Sequence, residues 1–160
     1  MEKKDLDWGN IGFSYMPTDK RYVANYKDGA WDGGAMTSDP NVVINECAGI
    51  LQYCQEIFEG LKAYTTEDGS IVTFRPDLNA ERMMDSARRL EMPPFPKERF
   101  LEAVDQVVKA NAAWVPPYGS GATLYLRPYM FASGPVIGVK PSQEYQFRLC
   151  LLYTSPSPRD

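Results

Sequence analysis

Histidine is absent from the 160 residues, and this removes whole classes of chemistry at once. Without an imidazole there is no Ser-His-Asp or Cys-His nucleophile, and the commonest zinc ligand is missing. Cysteine is scarce: Cys47, Cys54 and Cys150 show no CxxC spacing, and an odd number suits a reducing compartment better than a disulfide framework. No metal site is expected. No run of apolar residues reaches the length of a membrane-spanning helix, and the opening MEKKDLDWGN has no apolar signal core. A soluble cytoplasmic protein that does not bind membranes is therefore expected. Positive charge is also in short supply. Seventeen Lys and Arg against twenty-one Asp and Glu leave a net charge of −4, which argues against sequence-independent nucleic-acid binding.

The composition otherwise fits one globular domain, with 44% hydrophobic and 24% charged residues. Residues 1–20 are polar with scattered aromatics and read as an irregular arm. Lys27-Asp28-Gly29 between strand-like runs at 21–26 and 30–36 predicts a hairpin, because Asp-Gly tolerates the positive φ of a tight turn. Val42, Val43 and Ile44 suggest a short strand at 41–45. A second hairpin is expected from 58–65 and 70–74 around Glu67-Asp68-Gly69.

Pro76 punctuates the chain, and Leu78, Met83 or Met84, Ala87 and Leu90 recur at helical spacing. Three prolines make 92–96 a connector. A second helix is expected over 97–114, with Phe100, Leu101, Val104, Val107 and Val108 as its apolar stripe. Pro116-Pro117 stops it. Strands are expected at 122–131 and 145–152. Helices and strands are segregated along the chain, so the fold class is α+β.

Few residues invite chemistry. Gly119-Ser120-Gly121 has no third glycine at dinucleotide-binding spacing and leads into a strand, so it reads as a plain loop. In the strand that follows, alternation puts Leu124, Leu126 and Met130 on one face and Thr123, Tyr125, Arg127, Tyr129 and Phe131 on the other. Such a face can grip a small carboxylate through the arginine fork and a tyrosine hydroxyl, or be an ordinary solvent face. Arg82, near the start of the first helix, suits a phosphate or merely the surface. Gly60 inside the strand pattern Phe58-Glu59-Gly60-Leu61 marks either a bulge, a close ligand approach or packing relief.

Three ordered motifs then carry a resemblance. Phe58-Glu59-Gly60-Leu61-Lys62-Ala63-Tyr64, the run from Phe74-Arg75-Pro76-Asp77-Leu78 through Asn79-Ala80-Glu81-Arg82-Met83, and Leu124-Tyr125-Leu126-Arg127-Pro128 together resemble the N-terminal part of branched-chain-amino-acid aminotransferases. These are pyridoxal-phosphate enzymes of fold type IV, and the likeness runs from about residue 7 to 149. The resemblance implies the small N-terminal domain of that fold at 21–149, a mostly antiparallel sheet with two helices, with the large domain missing. It implies transfer of an amino group between leucine, isoleucine or valine and 2-oxoglutarate, with pyridoxal 5′-phosphate as cofactor and a homodimer for the complete enzyme. Arg82 falls on the family's phosphate-holding arginine. Tyr53, Tyr125 and Arg127 fall on residues lining the substrate pocket and orienting its carboxylate end, and Phe13 on an aromatic that packs against the branched side chain.

The family's Schiff-base lysine would lie past the end of this sequence, since no lysine follows Lys140, so no catalytic residue is assigned and the segment alone is expected to be inactive. The likeness stops abruptly at Leu149. The final CLLYTSPSPRD back-translates as TGT CTC TTA TAC ACA TCT and onward, which resembles the transposon adapter of sequencing libraries, so 150–160 is expected to be a non-native tail. Two competing expectations are another fold-type-IV enzyme (a D-amino-acid aminotransferase or an aminodeoxychorismate lyase) and a non-catalytic, free-standing small domain.

Overall fold

Alternation of apolar and polar residues, read along each strand, decides which side of the sheet is buried. The structure is a computed structural model and describes residues 2–9, 11 and 15–154. The strands are β1 (Arg21–Lys27), β2 (Ala30–Trp31), β3 (Ala35–Thr37), β4 (Glu56–Phe58), β5 (Leu61–Thr65), β6 (Ile71–Thr73), β7 (Thr123–Ala132) and β8 (Tyr145–Thr154). They form one sheet in the order β2-β1-β8-β7-β5-β6, with β3 also on β1 and β4 also on β7, and every pairing is antiparallel. The helices are α1 (Gly49–Tyr53), α2 (Pro76–Arg89) and α3 (Lys97–Ala110), followed by a 3-10 turn at Ala112–Trp114. The fold is α+β, as expected, with three α-helices among the described residues in the place of two.

The first turn forms as Asp-Gly chemistry requires, with Asp28 and Gly29 both at positive φ (53° and 83°). Between β2 and β3 the chain slips by one residue against β1. Asp32 bridges the slip, accepting hydrogen bonds from the backbone N–H groups of Asn25 (3.0 Å) and Gly34 (2.9 Å) and from the Asn25 amide (2.8 Å).

The core lies on one face of the sheet. Tyr22, Ala24, Leu61, Ala63, Leu124, Leu126, Met130, Phe147, Leu149 and Leu151 point into it. On this face α2 lays Ala80, Met83 and Ala87, and α3 lays Phe100, Ala103, Val104, Val107 and Val108. Phe95 stacks flat on Phe147 with ring centroids 3.9 Å apart, and Trp31 meets Phe95 edge-on at 5.0 Å. Aromatic pairs in these geometries gain about 0.5–1.5 kcal/mol beyond the area they bury.

Several expectations need correction. Residues 41–45 form no strand. Val43 is 93% exposed, and Asp39 ties the Asn41 backbone and amide into a local turn, which competes with sheet pairing. The buried stripe of α2 is Ala80, Met83 and Ala87, while Leu78 and Leu90 stay exposed, because the small alanines let the helix sit close to the sheet. The second long helix stops at Ala110, four residues before Trp114. The buried Asn111 turns its side chain back, donating to Val107 O (2.8 Å) and Lys20 O (3.0 Å) and accepting from Lys20 N–H (3.0 Å).

Strand β8 continues past Leu149 to Thr154, and within it Leu151 enters the core. The apolar residues at the start of the 150–160 segment thus complete the strand opposite β7, down to the Thr123–Thr154 pair.

Candidate functional site

The sheet face opposite the helices carries the side chains that the core alternation rejects. On β7 these are Tyr125, Arg127, Tyr129 and Phe131. Directly across from them stand Cys150 (opposite Arg127), Arg148 (opposite Tyr129) and Gln146 (opposite Phe131) on β8. On the other side, Lys62 stands opposite Tyr125 and Phe58 opposite Tyr129. The result is a basic and aromatic face drawn from four strands, on which Phe131 and Arg148 are buried and Phe58 is exposed.

Strands β4 and β5 pair with β7 in one unbroken register, so Phe58, Glu59, Gly60 and Leu61 continue a single extended run. The interruption at Glu59–Gly60 has a covalent cause. Opposite Glu59 lies Pro128, which accepts the Glu59 N–H (2.8 Å) but has no N–H to return. No bulge is present, and the expectation of one at Gly60 is replaced by packing relief.

Phe58, Glu59 and Gly60 each meet a different predicted site residue. Phe58 turns to the open face and lies under the Arg127 guanidinium, 4.4 Å from its ring centre. Glu59 turns to the helix face, where it is 5% exposed, and receives Arg82. The pair is two-pronged: Arg82 Nε donates to Oε1 (2.7 Å) and Nη2 to Oε2 (2.6 Å). Gly60 returns to the open face directly beneath Tyr125. A Cβ there would stand 2.3 Å from the Tyr125 hydroxyl and 2.9 Å from its ring, so any side chain would displace the tyrosine. Tyr125 in turn accepts a hydrogen bond from Arg127 Nε (3.0 Å), and Arg127 lies 5.1 Å from the Tyr125 ring centre.

The structure therefore brings Tyr125 and Arg127 together and seats Arg82 against the same three-residue run. Tyr53 stands apart from them. Its hydroxyl donates to the carbonyl of Ile137, and it lines a recess of about 390 Å³ with Cys54, Gln55, Leu90, Val139 and Pro141. Phe13 lies outside the described residues.

Electrostatics follow from these contacts. The hydrogen bond and charge of Glu59 push the Arg82 guanidinium above its ordinary range, so it is a permanent cation. Burial pushes the Cys150 thiol up, against the opposing pull of Arg127, Arg21 and Arg148. Burial likewise raises the Tyr129 phenol. Neither group ionises at neutral pH, and both act as neutral walls of the basic surface.

Sequence reasoning missed Glu59, Asn79 and Arg148 as members of the site. A detectable signal existed for the first two. In Phe58-Glu59-Gly60-Leu61, strict alternation sends Glu59 to the core side, and a carboxylate there demands partners. Asn79 and Arg82, three residues apart on one helix, supply them: Asn79 Nδ2 donates to Glu59 Oε2 (2.9 Å) and Gly60 O (3.2 Å). Among the described residues, no group of three or more His, Cys, Asp or Glu side chains is arranged to hold a metal ion.

Fold and site together define an α+β domain whose antiparallel sheet carries Tyr125 and Arg127 on its open face and the Arg82–Glu59 pair on its helix face. No family model matches the chain. Over 144 residues it is 56% identical to the branched-chain-amino-acid aminotransferase of Haemophilus influenzae, covering 90% of this chain and 42% of that protein. Over 144 residues it is 47% identical to the Helicobacter pylori protein of the same name, with the same coverage. The branched-chain aminotransferase crystal structures from Escherichia coli (TM-score 0.64, 21% identity) and from Thermoproteus uzoniensis with norvaline (TM-score 0.63, 22% identity) share the fold over 84% of this chain. They are covered over 39% and 40% of their own lengths. The chain belongs to the branched-chain-amino-acid aminotransferase family, and it spans about two fifths of the length of the relatives it matches.

Proposed function

We propose that this chain is the small domain of a pyridoxal-phosphate-dependent transaminase that moves the amino group of leucine, isoleucine or valine to 2-oxoglutarate. The observation that carries the reading is the Phe58-Glu59-Gly60 run, whose three residues hold Arg127, Arg82 and Tyr125 in turn. One rigid stretch of backbone thereby ties a carboxylate-binding face to a phosphate-binding arginine.

The residues present suit the phosphate end of the cofactor. Arg82 spends two of its five N–H donors on Glu59, and its side chain stays 63% exposed, so the rest of the fork can meet an anion. When bound, the cofactor supplies the electron sink that lets the amino group leave one carbon and join another. The chain's own residues do the rest of what is assigned here. Arg127 binds and orients the substrate carboxylate, Tyr125 adds its hydroxyl, and Phe58 buttresses the guanidinium from below. Tyr53 and Phe13 are assigned to the pocket wall. An apolar, aromatic pocket favours branched side chains, with discrimination of about 1–3 kcal/mol per methylene.

The complete enzyme is proposed to be a cytoplasmic homodimer. Among the described residues no helix is long and apolar enough to cross a membrane. The test is transamination by the full-length enzyme that carries this segment, with leucine, isoleucine, valine and a D-amino acid as donors. Activity on the three branched L-amino acids supports the reading, and preference for the D-amino acid overturns it.

A further inference from the structure

Glu59 combines three properties that do not occur together in the exposed salt bridges of this chain. Its carboxylate is 5% exposed, it meets Arg82 in a two-pronged bond at 2.7 and 2.6 Å, and Asn79 holds its second oxygen at 2.9 Å. Asn79 also bonds the Gly60 carbonyl (3.2 Å), and the Glu59 N–H is fixed on Pro128 O (2.8 Å). Backbone and side chain are thus both pinned, and the carboxylate cannot follow a moving arginine. An arginine side chain has considerable rotamer freedom to lose when it is ordered. The clamp removes that freedom before any ligand arrives. Because Glu59 takes Nε and one side of Nη2, it selects which edge of the planar guanidinium remains for an anion.

We propose that Glu59 is the positioning residue for the phosphate contact: it holds Arg82 with one edge of its guanidinium turned to the cofactor phosphate, and Asn79 steadies Glu59. This rests on the reading of Arg82 as the phosphate ligand. Glu59 is buried against α2, so its whole effect passes through Arg82. The two carboxylate oxygens carry the same charge whether or not the arginine is engaged elsewhere, so Glu59 acts by geometry, at the expense of some of the positive potential.

The test uses the full-length apoenzyme and two ligands, pyridoxal 5′-phosphate and pyridoxal, which differ only in the phosphate. Binding is followed by absorbance titration, with no turnover required. Glu59→Gln is expected to weaken pyridoxal phosphate by about tenfold or more, the scale of partners that orient a ligating side chain, and to leave pyridoxal unchanged. Asn79→Ala is expected to shift the same ratio in the same direction by less, and it serves where Glu59→Gln fails to fold. In an Arg82→Ala background, Glu59→Gln should have no further effect on the ratio. Equal weakening of both ligands, no change, or tighter binding of pyridoxal phosphate would each overturn the proposal. A wild-type enzyme that does not prefer pyridoxal phosphate to pyridoxal would instead overturn the assignment of Arg82, and the proposal with it.

Discussion

Gly60→Ala isolates the coupling between strand and site, because one methyl group enters a measured gap. The new Cβ would stand 2.3 Å from the Tyr125 hydroxyl, where ordinary contact begins near 3.4 Å. The hydroxyl must therefore retreat by about 1 Å to restore van der Waals contact. It now receives Arg127 Nε at 3.0 Å, and a retreat of that size directed away from Arg127 carries the separation past hydrogen-bonding range. A hydrogen bond to a charged group contributes about 1.5–3 kcal/mol, and this half-exposed one belongs at the low end. Stability should fall less than that, because replacing glycine also restricts the unfolded chain, a gain of about 0.4–1 kcal/mol. The net expectation is a small loss of Tm and a larger loss of substrate affinity, with KM for the amino-acid donor rising about tenfold for each 1.4 kcal/mol of misplaced Arg127 interaction. Steady-state kinetics of the full-length enzyme, paired with a cofactor titration, separates the effects. Cofactor affinity should hold, since Arg82 and Glu59 lie on the other face of the sheet. An unchanged KM with an unchanged Tm would refute the reasoning, because it would mean that Tyr125 moves aside without consequence.

Other outcomes follow from the same contacts. Arg127→Lys should raise KM for the amino-acid donor, since an ammonium cannot reproduce the two-pronged fork or lie flat on Phe58; equal kinetics would show that the open face does not receive the carboxylate. Phe147→Ala removes the ring on which Phe95 stacks at the centre of the core and should cost about 3–5 kcal/mol, read by denaturant unfolding. Asp77, gripped by Arg75 at 2.9 and 2.7 Å, is lowered to about 2, so its contribution to stability is fully present above about pH 4 and is lost as pH falls through 2. Asp77→Asn should flatten that part of the acid unfolding curve; an unchanged curve would contradict the pairing.

Alternation in β7 made its two faces readable before any coordinates, and the open face does unite Tyr125 with Arg127. The Asp28-Gly29 turn was equally legible, because the required dihedrals admit few residues. Residues 41–45 misled because β-branched composition describes a side-chain preference, whereas Asp39 and Asn41 satisfy the backbone locally. Helix α1 was missed since five residues offer too little periodicity to see. The role of Glu59 was hidden for a different reason. Its partners lie 20 and 23 residues away on another element, and only the packing of α2 on the sheet brings them within reach.

The proposed function requires the Phe58-Glu59-Gly60 run to hold Arg82, as phosphate ligand, and the Arg127 face, as carboxylate site, in fixed relation. A crystal structure of the full-length enzyme with pyridoxal 5′-phosphate and a branched-chain 2-oxo acid tests it most directly. A phosphate oxygen is expected within about 3 Å of Arg82 while Glu59 keeps its grip, with the ligand carboxylate on Arg127 and Tyr125. A phosphate bound away from Arg82, or a carboxylate that ignores the open face of β7, would contradict it.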